Sequence, residues 1–97
     1  MTILTNRVIS IYDRRTTMRL ARTEWEVLQN ICYLEKMKRK TLLELIDQNR
    51  DKKIGLTPAV RLFELIYLHT LTEKTALLQR LPNDHKNLHK TLDLLKL

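Results

Sequence analysis

Three side chains near the N-terminus have the types and spacing to read a patterned polar surface. Arg15, Thr17 and Arg19 stand two residues apart, the repeat that puts side chains on one face of a strand. Arginine offers two parallel donors to the O6 and N7 edge of guanine. Threonine offers a hydroxyl to a base or a methyl to thymine. The alternate positions, Thr16, Met18 and Leu20, make the opposite face less polar. A core strand would carry no arginine. An ordinary solvated strand, charged to protect an edge, would mix both signs. Here residues 14–22 hold four arginines and no acid, which favours an anionic partner over mere solvation.

A lone strand of this kind leaves backbone groups unpaired and an apolar face uncovered. The expectation is that it pairs with its copy from a second chain. The resulting two-stranded antiparallel ribbon fits the major groove of DNA and presents six readers related by two-fold symmetry. Met18 and Leu20 would then be buried on helices. Residues 7–12, Arg7-Val8-Ile9-Ser10-Ile11-Tyr12, are β-branched and aromatic and predict a preceding strand. Asp13-Arg14 reads as a bend that lets this strand pair with the next, without the Asn-Gly of a tight hairpin.

The positioning elements are helical. Thr23-Glu24-Trp25-Glu26 reads as a capping box opening helix A, about 23–37. Trp25 reads as a core anchor and Cys32 as a buried small hydrophobe. Leu42, Leu43, Leu45 and Ile46 place helix B at about 39–50, unless 23–50 is one continuous helix. Residues 49–55 are polar and end in the only glycine, a loop. Thr57 as N-cap and Pro58 at N1 start helix C, which runs to about Leu71. Its apolar residues, Phe63 and Tyr67 among them, occupy most of its circumference, so it is expected to be sandwiched in a dimer. Thr72–Leu81 reads as a further helix ended by Pro82. A last helix, about 84–96, is capped by Asp84 and has Leu88, Leu92 and Leu95 on one face.

The net charge is +7 over 97 residues, which favours nucleic acid or an anionic surface as partner. The charge is clustered, first at 14–22 and again at Lys36, Lys38, Arg39 and Lys40. Lys38, Arg39 and Lys40 lie at the expected start of helix B, where free N–H groups and the helix dipole attract phosphate. Arg14 and Arg22, at the ends of the strand, are also read as phosphate contacts, which position a protein without reading sequence.

On Arg15-Thr16-Thr17-Met18-Arg19-Leu20, then Trp25-Glu26-Val27-Leu28 and Ile31, then Leu42-Leu43-Glu44-Leu45-Ile46-Asp47, the chain resembles the ribbon-helix-helix family, which includes the Arc and MetJ repressors. It looks closest to a bacterial subgroup with an Arg-Thr-Ser-like strand, a Trp in helix A, Ile-Asp near the end of helix B and a following Leu-Ser/Thr-x-Ala-x-Arg helix. Here that last piece is Leu56-Thr57-Pro58-Ala59-Val60-Arg61-Leu62. The resemblance spans about residues 7–71. It implies a mostly α fold with a short β-ribbon, a ribbon-helix-helix dimer with additional C-terminal helices. It also implies base contacts at Arg15, Thr17 and Arg19, backbone contacts at the start of helix B, and transcriptional repression, in some members as antitoxins. Where members carry a glycine in the turn between helices A and B and a Ser or Thr capping helix B, this chain has Lys36 and Lys38.

The division expected is a DNA-binding domain over 1–71 and a helical extension over 72–97. The rival reading is a protein-interaction module whose partner docks on residues 84–97. His85, His89 and Asp93 share a helix face but lack the further ligands that a metal needs. No cofactor is expected, and no motif of a nucleophile with its base, a phosphate loop or paired carboxylates indicates an enzyme. No signal segment or membrane span is apparent, so the expected setting is cytoplasmic. The expected partners are double-stranded DNA and the chain itself, as a dimer or larger assembly, but not a membrane.

Overall fold

The computed structural model describes residues 3–77 and 86–96. Two strands, β1 (Leu4–Ile11) and β2 (Arg14–Ala21), are followed by helices α1 (Arg22–Glu35), α2 (Arg39–Asn49), α3 (Leu56–Leu77) and α4 (Lys86–Leu94). The strands form one antiparallel hairpin whose register runs from Leu4 opposite Ala21 to Ile11 opposite Arg14. The strand at 7–12 thus pairs with the next one across the bend, as expected, and no other strand among the described residues pairs with β2.

The hairpin turns at Tyr12-Asp13, both with positive φ (49° and 63°), as a two-residue type I′ turn demands. The sequence lacks the usual glycine there, and α2 holds the turn instead. The Tyr12 N–H donates to Glu44 Oε2 (2.9 Å) and its hydroxyl donates to the Glu44 carbonyl (3.2 Å). Lys40 Nζ lies 3.8 Å from Asp13 Oδ1 and 3.9 Å from Glu44 Oε2.

The inner face of the hairpin contributes Ile9, Ile11, Met18 and Leu20 to the core, all buried within this one chain. β1 lies on α2, and β2 lies on α1 and α3. Helices of the same chain thus cover this face, as the expected burial of Met18 and Leu20 requires. The remaining core comes from Trp25, Leu28 and Ile31 of α1, Leu42, Leu43 and Ile46 of α2, and Val60, Phe63 and Tyr67 of α3. Each aliphatic side chain buried this way stabilises the fold by about 1.5–3 kcal/mol. Cys32 is buried as expected, and burial pushes its thiol pKa up.

Helix α1 starts one residue before its expected first turn, with Ala21 as N-cap. Thr23 is exposed rather than capping. Glu24, not Glu26, reaches back: its Oε1 accepts the Ala21 N–H at 2.7 Å. Alanine has no acceptor side chain, so only this half of a capping box exists. The cause is the strand, because Ala21 still pairs with Leu4 and the helix must begin at the next residue. Glu24 Oε2 also accepts Arg61 Nε at 3.0 Å, tying the junction to α3.

Helix α1 ends at Lys36, in the left-handed conformation (φ 56°, ψ 47°). The Lys36 N–H donates to Tyr33 and the Met37 N–H to Cys32. This break rules out a continuous helix over 23–50. A side chain in that conformation is strained, and glycine is not. Lys36→Gly is expected to stabilise the fold by about 0.5–1 kcal/mol, read as a higher urea midpoint with an unchanged slope.

Helix α3 begins at Leu56, one residue before the expected Thr57 cap, with the Ala59 N–H donating to the Gly55 carbonyl (3.2 Å). Pro58 then falls within the first turn, where a missing N–H costs nothing. The helix continues unbroken past Leu71 to Leu77, so Thr72–Leu77 extends α3 instead of opening a new helix. The expected stop at Pro82 and cap at Asp84 lie outside the described residues. Helix α4 folds back on α3 and α2. Leu88, Leu92 and Leu95 are buried in the same core, so the face that motivated a docked protein partner is occupied by the chain itself. Tyr67 links three helices. Its hydroxyl donates to Glu35 Oε2 (2.6 Å), and Asn87 Nδ2 donates to its carbonyl (3.3 Å).

Candidate nucleic-acid interface

The outer face of the hairpin carries the three proposed readers. Arg15, Thr17 and Arg19 are all exposed and stand opposite Ser10, Val8 and Asn6 of β1. At about 3.4 Å per residue, Arg15 and Arg19 are ~14 Å apart along the strand. That span matches roughly four base-pair steps of 3.4 Å. Asn6 Oδ1 accepts the Arg19 Nε–H at 2.8 Å, which holds the side chain through Nε. The sequence reading missed Asn6, because its relation to Arg19 exists only once the register is known.

The residues read as phosphate contacts fare differently. Arg14 is exposed beside the turn, on the strand position opposite Ile11. Arg22 opens α1, exposed, 3.7 Å from Glu26 Oε2. Lys38 is the N-cap of α2, exposed and without a side-chain cap hydrogen bond. Lys40 faces the hairpin turn through Asp13 and Glu44, so part of its charge is spent on the fold. Arg39 is half-buried, its guanidinium carbon 5.6 Å from the Trp25 ring centroid. Arg7 of β1 lies 5.0 Å from the same centroid. Arg39 of the second basic cluster thus shares the Trp25 ring with Arg7, which the sequence placed in a strand and gave no role.

Trp25 itself is a core residue, 3% exposed, with its indole N–H donating to the Thr5 carbonyl at 3.0 Å. It supports arginines and does not offer a free stacking face. Arg50, a further cation, is structural: it donates to Asp47 Oδ1 (2.7 Å) and to the Ile54 carbonyl (2.6 Å), organising the loop before α3.

Among the described residues no group of His, Cys, Asp and Glu could hold a metal ion; His85 lies outside them. No described helix is long and apolar enough to cross a membrane.

A family model described as a ribbon-helix-helix domain matches residues 4–68. No curated protein and no solved structure matches the chain. The matched segment runs from the first residue of β1 into α3, and so includes the hairpin, both following helices and the exposed Arg15-Thr17-Arg19 face.

Proposed function

The chain belongs to the ribbon-helix-helix family, a family of DNA-binding regulators, and from that premise we propose that it binds specific double-stranded DNA as a homodimer and represses transcription. The observation that carries the reading is the acid-free outer face of β2, where Arg15, Thr17 and Arg19 stand exposed at strand spacing. Arg15 and Arg19 take guanines in the major groove and Thr17 takes a thymine methyl or a base edge. Arg14, Arg22, Lys38, Arg39 and Lys40 supply the phosphate attraction that sets register and on-rate.

Two features support a homodimer. Among the described residues no strand pairs with the far edge of β2, an edge that can pair with the same edge of a second copy. On α3, Leu62, Leu65 and Leu68 are exposed, Leu65 by 67%, an apolar stripe that a monomer would leave in water. Joining two β2 edges makes a four-stranded sheet, with the reader strands at its centre and β1 on either flank.

The test is selection of bound sequences from random duplexes at near-physiological salt. The expected product is a motif with two-fold symmetry. Recovery of unenriched DNA, or of a motif without a dyad, overturns specific binding by a symmetric dimer. Sedimentation of the free protein checks the assembly: Leu65→Glu is expected to shift a dimer toward monomer.

A further inference from the structure

The outer face of the hairpin is graded in side-chain length. Along β2 it carries Arg15, Thr17 and Arg19, and the residues opposite them on β1 are Ser10, Val8 and Asn6. All six are exposed. The long side chains therefore stand on one strand and short ones on the strand beside it. In a sheet made by joining two β2 edges, the arginines lie at the centre and Asn6, Val8 and Ser10 on both flanks. Strands lie about 4.8 Å apart, so each β1 stands about 7 Å from the dyad. The major groove is about 12 Å wide, which sets its phosphate walls about 6 Å from its midline. A central strand needs long side chains to reach base edges on the groove floor. A flanking strand meets the wall, where short side chains let the backbone come close.

The chemistry of the flank suits that wall. Asn6 Oδ1 is taken by the Arg19 Nε–H at 2.8 Å, which leaves the Asn6 amide as a donor. The Ser10 hydroxyl is a second donor. Among the described residues no side-chain hydrogen bond uses either donor. Asn6 and Ser10 are ~14 Å apart along the strand, with the apolar Val8 between them. Uncharged amides and hydroxyls are regular donors to phosphate oxygens. The one acid between Leu4 and Ala21 is Asp13 in the turn, and its carboxylate lies 3.8 Å from Lys40 Nζ.

We infer that the outer face of β1 is a neutral backbone-binding strip, on which the Asn6 amide and the Ser10 hydroxyl donate to phosphates of the groove wall while β2 reads the bases between. The inference rests on the DNA-binding and homodimer readings and adds a second strand to the interface. Its signature differs from that of the basic residues. Each phosphate neutralised by a cation contributes about 0.9 to the slope of log K against log[salt]. A neutral donor displaces no counterion, so its loss costs the same factor at every salt concentration.

The experiment measures full-length protein on the selected duplex and on a random duplex across a salt series. Ser10→Ala is expected to weaken both duplexes about fivefold per half-site, the worth of one ordinary hydrogen bond, with the parental slope and base preference. Ser10→Lys puts a charge at the same place and should steepen the slope by about 0.9 per half-site. Asn6→Asp keeps the acceptor for Arg19 and replaces the donor with an anion. It should therefore weaken both duplexes while base preference at the Arg19 position stays. Duplexes with a single methylphosphonate in the flank locate the contact: at one linkage the substitution should weaken the parent more than it weakens Ser10→Ala. Both positions are exposed, and circular dichroism checks that the variants fold. The inference is overturned if Ser10→Ala binds both duplexes as the parent does, or if Ser10→Lys keeps the parental slope. If the parent binds no duplex, the DNA-binding reading fails first, and if the selected motif has no dyad, the four-stranded sheet fails first; either result takes the strip with it.

Discussion

Arg15→Ala and Arg19→Ala should each lose about 1–3 kcal/mol of binding per half-site on the selected duplex and relax base preference at one position of each half-site. In a symmetric dimer every substitution is made twice, so the loss on a full site approaches double that figure. A tenfold change in affinity is about 1.4 kcal/mol, so the effect on the full site spans roughly one to four decades. Three features make the result diagnostic. Both residues are exposed, so their loss should change stability by no more than about 0.5 kcal/mol. Their loss should narrow the gap between specific and random duplex, which removal of a phosphate contact leaves open. And the Arg19 effect should be echoed by Asn6→Ala, because Asn6 holds the Arg19 Nε at 2.8 Å. Urea midpoints measure the first, and competition binding against random duplex and single-base variants of the selected site measures the other two. Should both arginine variants discriminate among these duplexes as the parent does, the outer face of β2 is not the reader.

Thr17 refines the same experiment. Thr17→Ser keeps a hydroxyl and removes a methyl, so retention of base preference points to a hydrogen bond and its loss to contact with thymine. Val8, directly opposite on β1 and exposed, adds a second apolar group to that part of the face.

The alternation that exposed this face was legible from residue types alone. Arginine and threonine at one parity against methionine and leucine at the other can be satisfied only by a strand with one wet face, and Met18 and Leu20 are buried as that requires. The pairing with β1 was legible only as a bend between two strands, beside pairing with a second copy, and the tight turn was not. Strand pairing is a non-local choice, and the turn chemistry that would have announced it is absent, since Tyr12-Asp13 adopts its left-handed pair of conformations under the hold of Glu44 and Lys40 from α2. The same holds for the start of α1. Thr23 and Glu26 have capping-box spacing, but the ladder to Leu4 runs through Ala21 and moves the helix start ahead of it. Local propensity set the candidates and tertiary contact chose among them. Arg7 escaped notice for a related reason. In sequence it is one more charge in a strand, and its relation to Arg39 exists only through Trp25.

Helix α3 illustrates the limit of amphipathic reasoning. Apolar residues around most of its circumference indicated burial on several sides, and one side is indeed taken by α4. Leu62, Leu65 and Leu68 are still exposed, so the expectation of a further covering surface stands as a statement about assembly.

Glu64 offers a pH-dependent test on this same helix. It is 5% exposed with no hydrogen-bond partner for Oε2. Burial, with Glu24 adding repulsion and Arg61 opposing it, raises its pKa from the ordinary 4.5 to about 8. The unfolded chain therefore releases this proton near pH 4.5, while the folded chain keeps it to about pH 8. Between those limits the folded state binds the extra proton, so stability falls as pH rises, by up to about 1.4 kcal/mol per pH unit. The contribution is fully present below the unfolded value and fully lost above the folded one. Glu64→Gln keeps the shape and removes the titration. Its amide brings its own burial cost of about 1–3 kcal/mol, but that cost does not vary with pH. The expected result is that stability of the Gln variant relative to the parent improves by about 2–3 kcal/mol between pH 5 and pH 7, read from urea midpoints at matched ionic strength. Parallel curves would mean that Glu64 is ionised in the folded chain. Leu68, one turn beyond Glu64, belongs to the exposed leucine stripe. Association over that stripe would bury the carboxyl further, so dimerisation carries the same sign and should be tighter at pH 6 than at pH 9. In Glu64→Gln that difference should shrink.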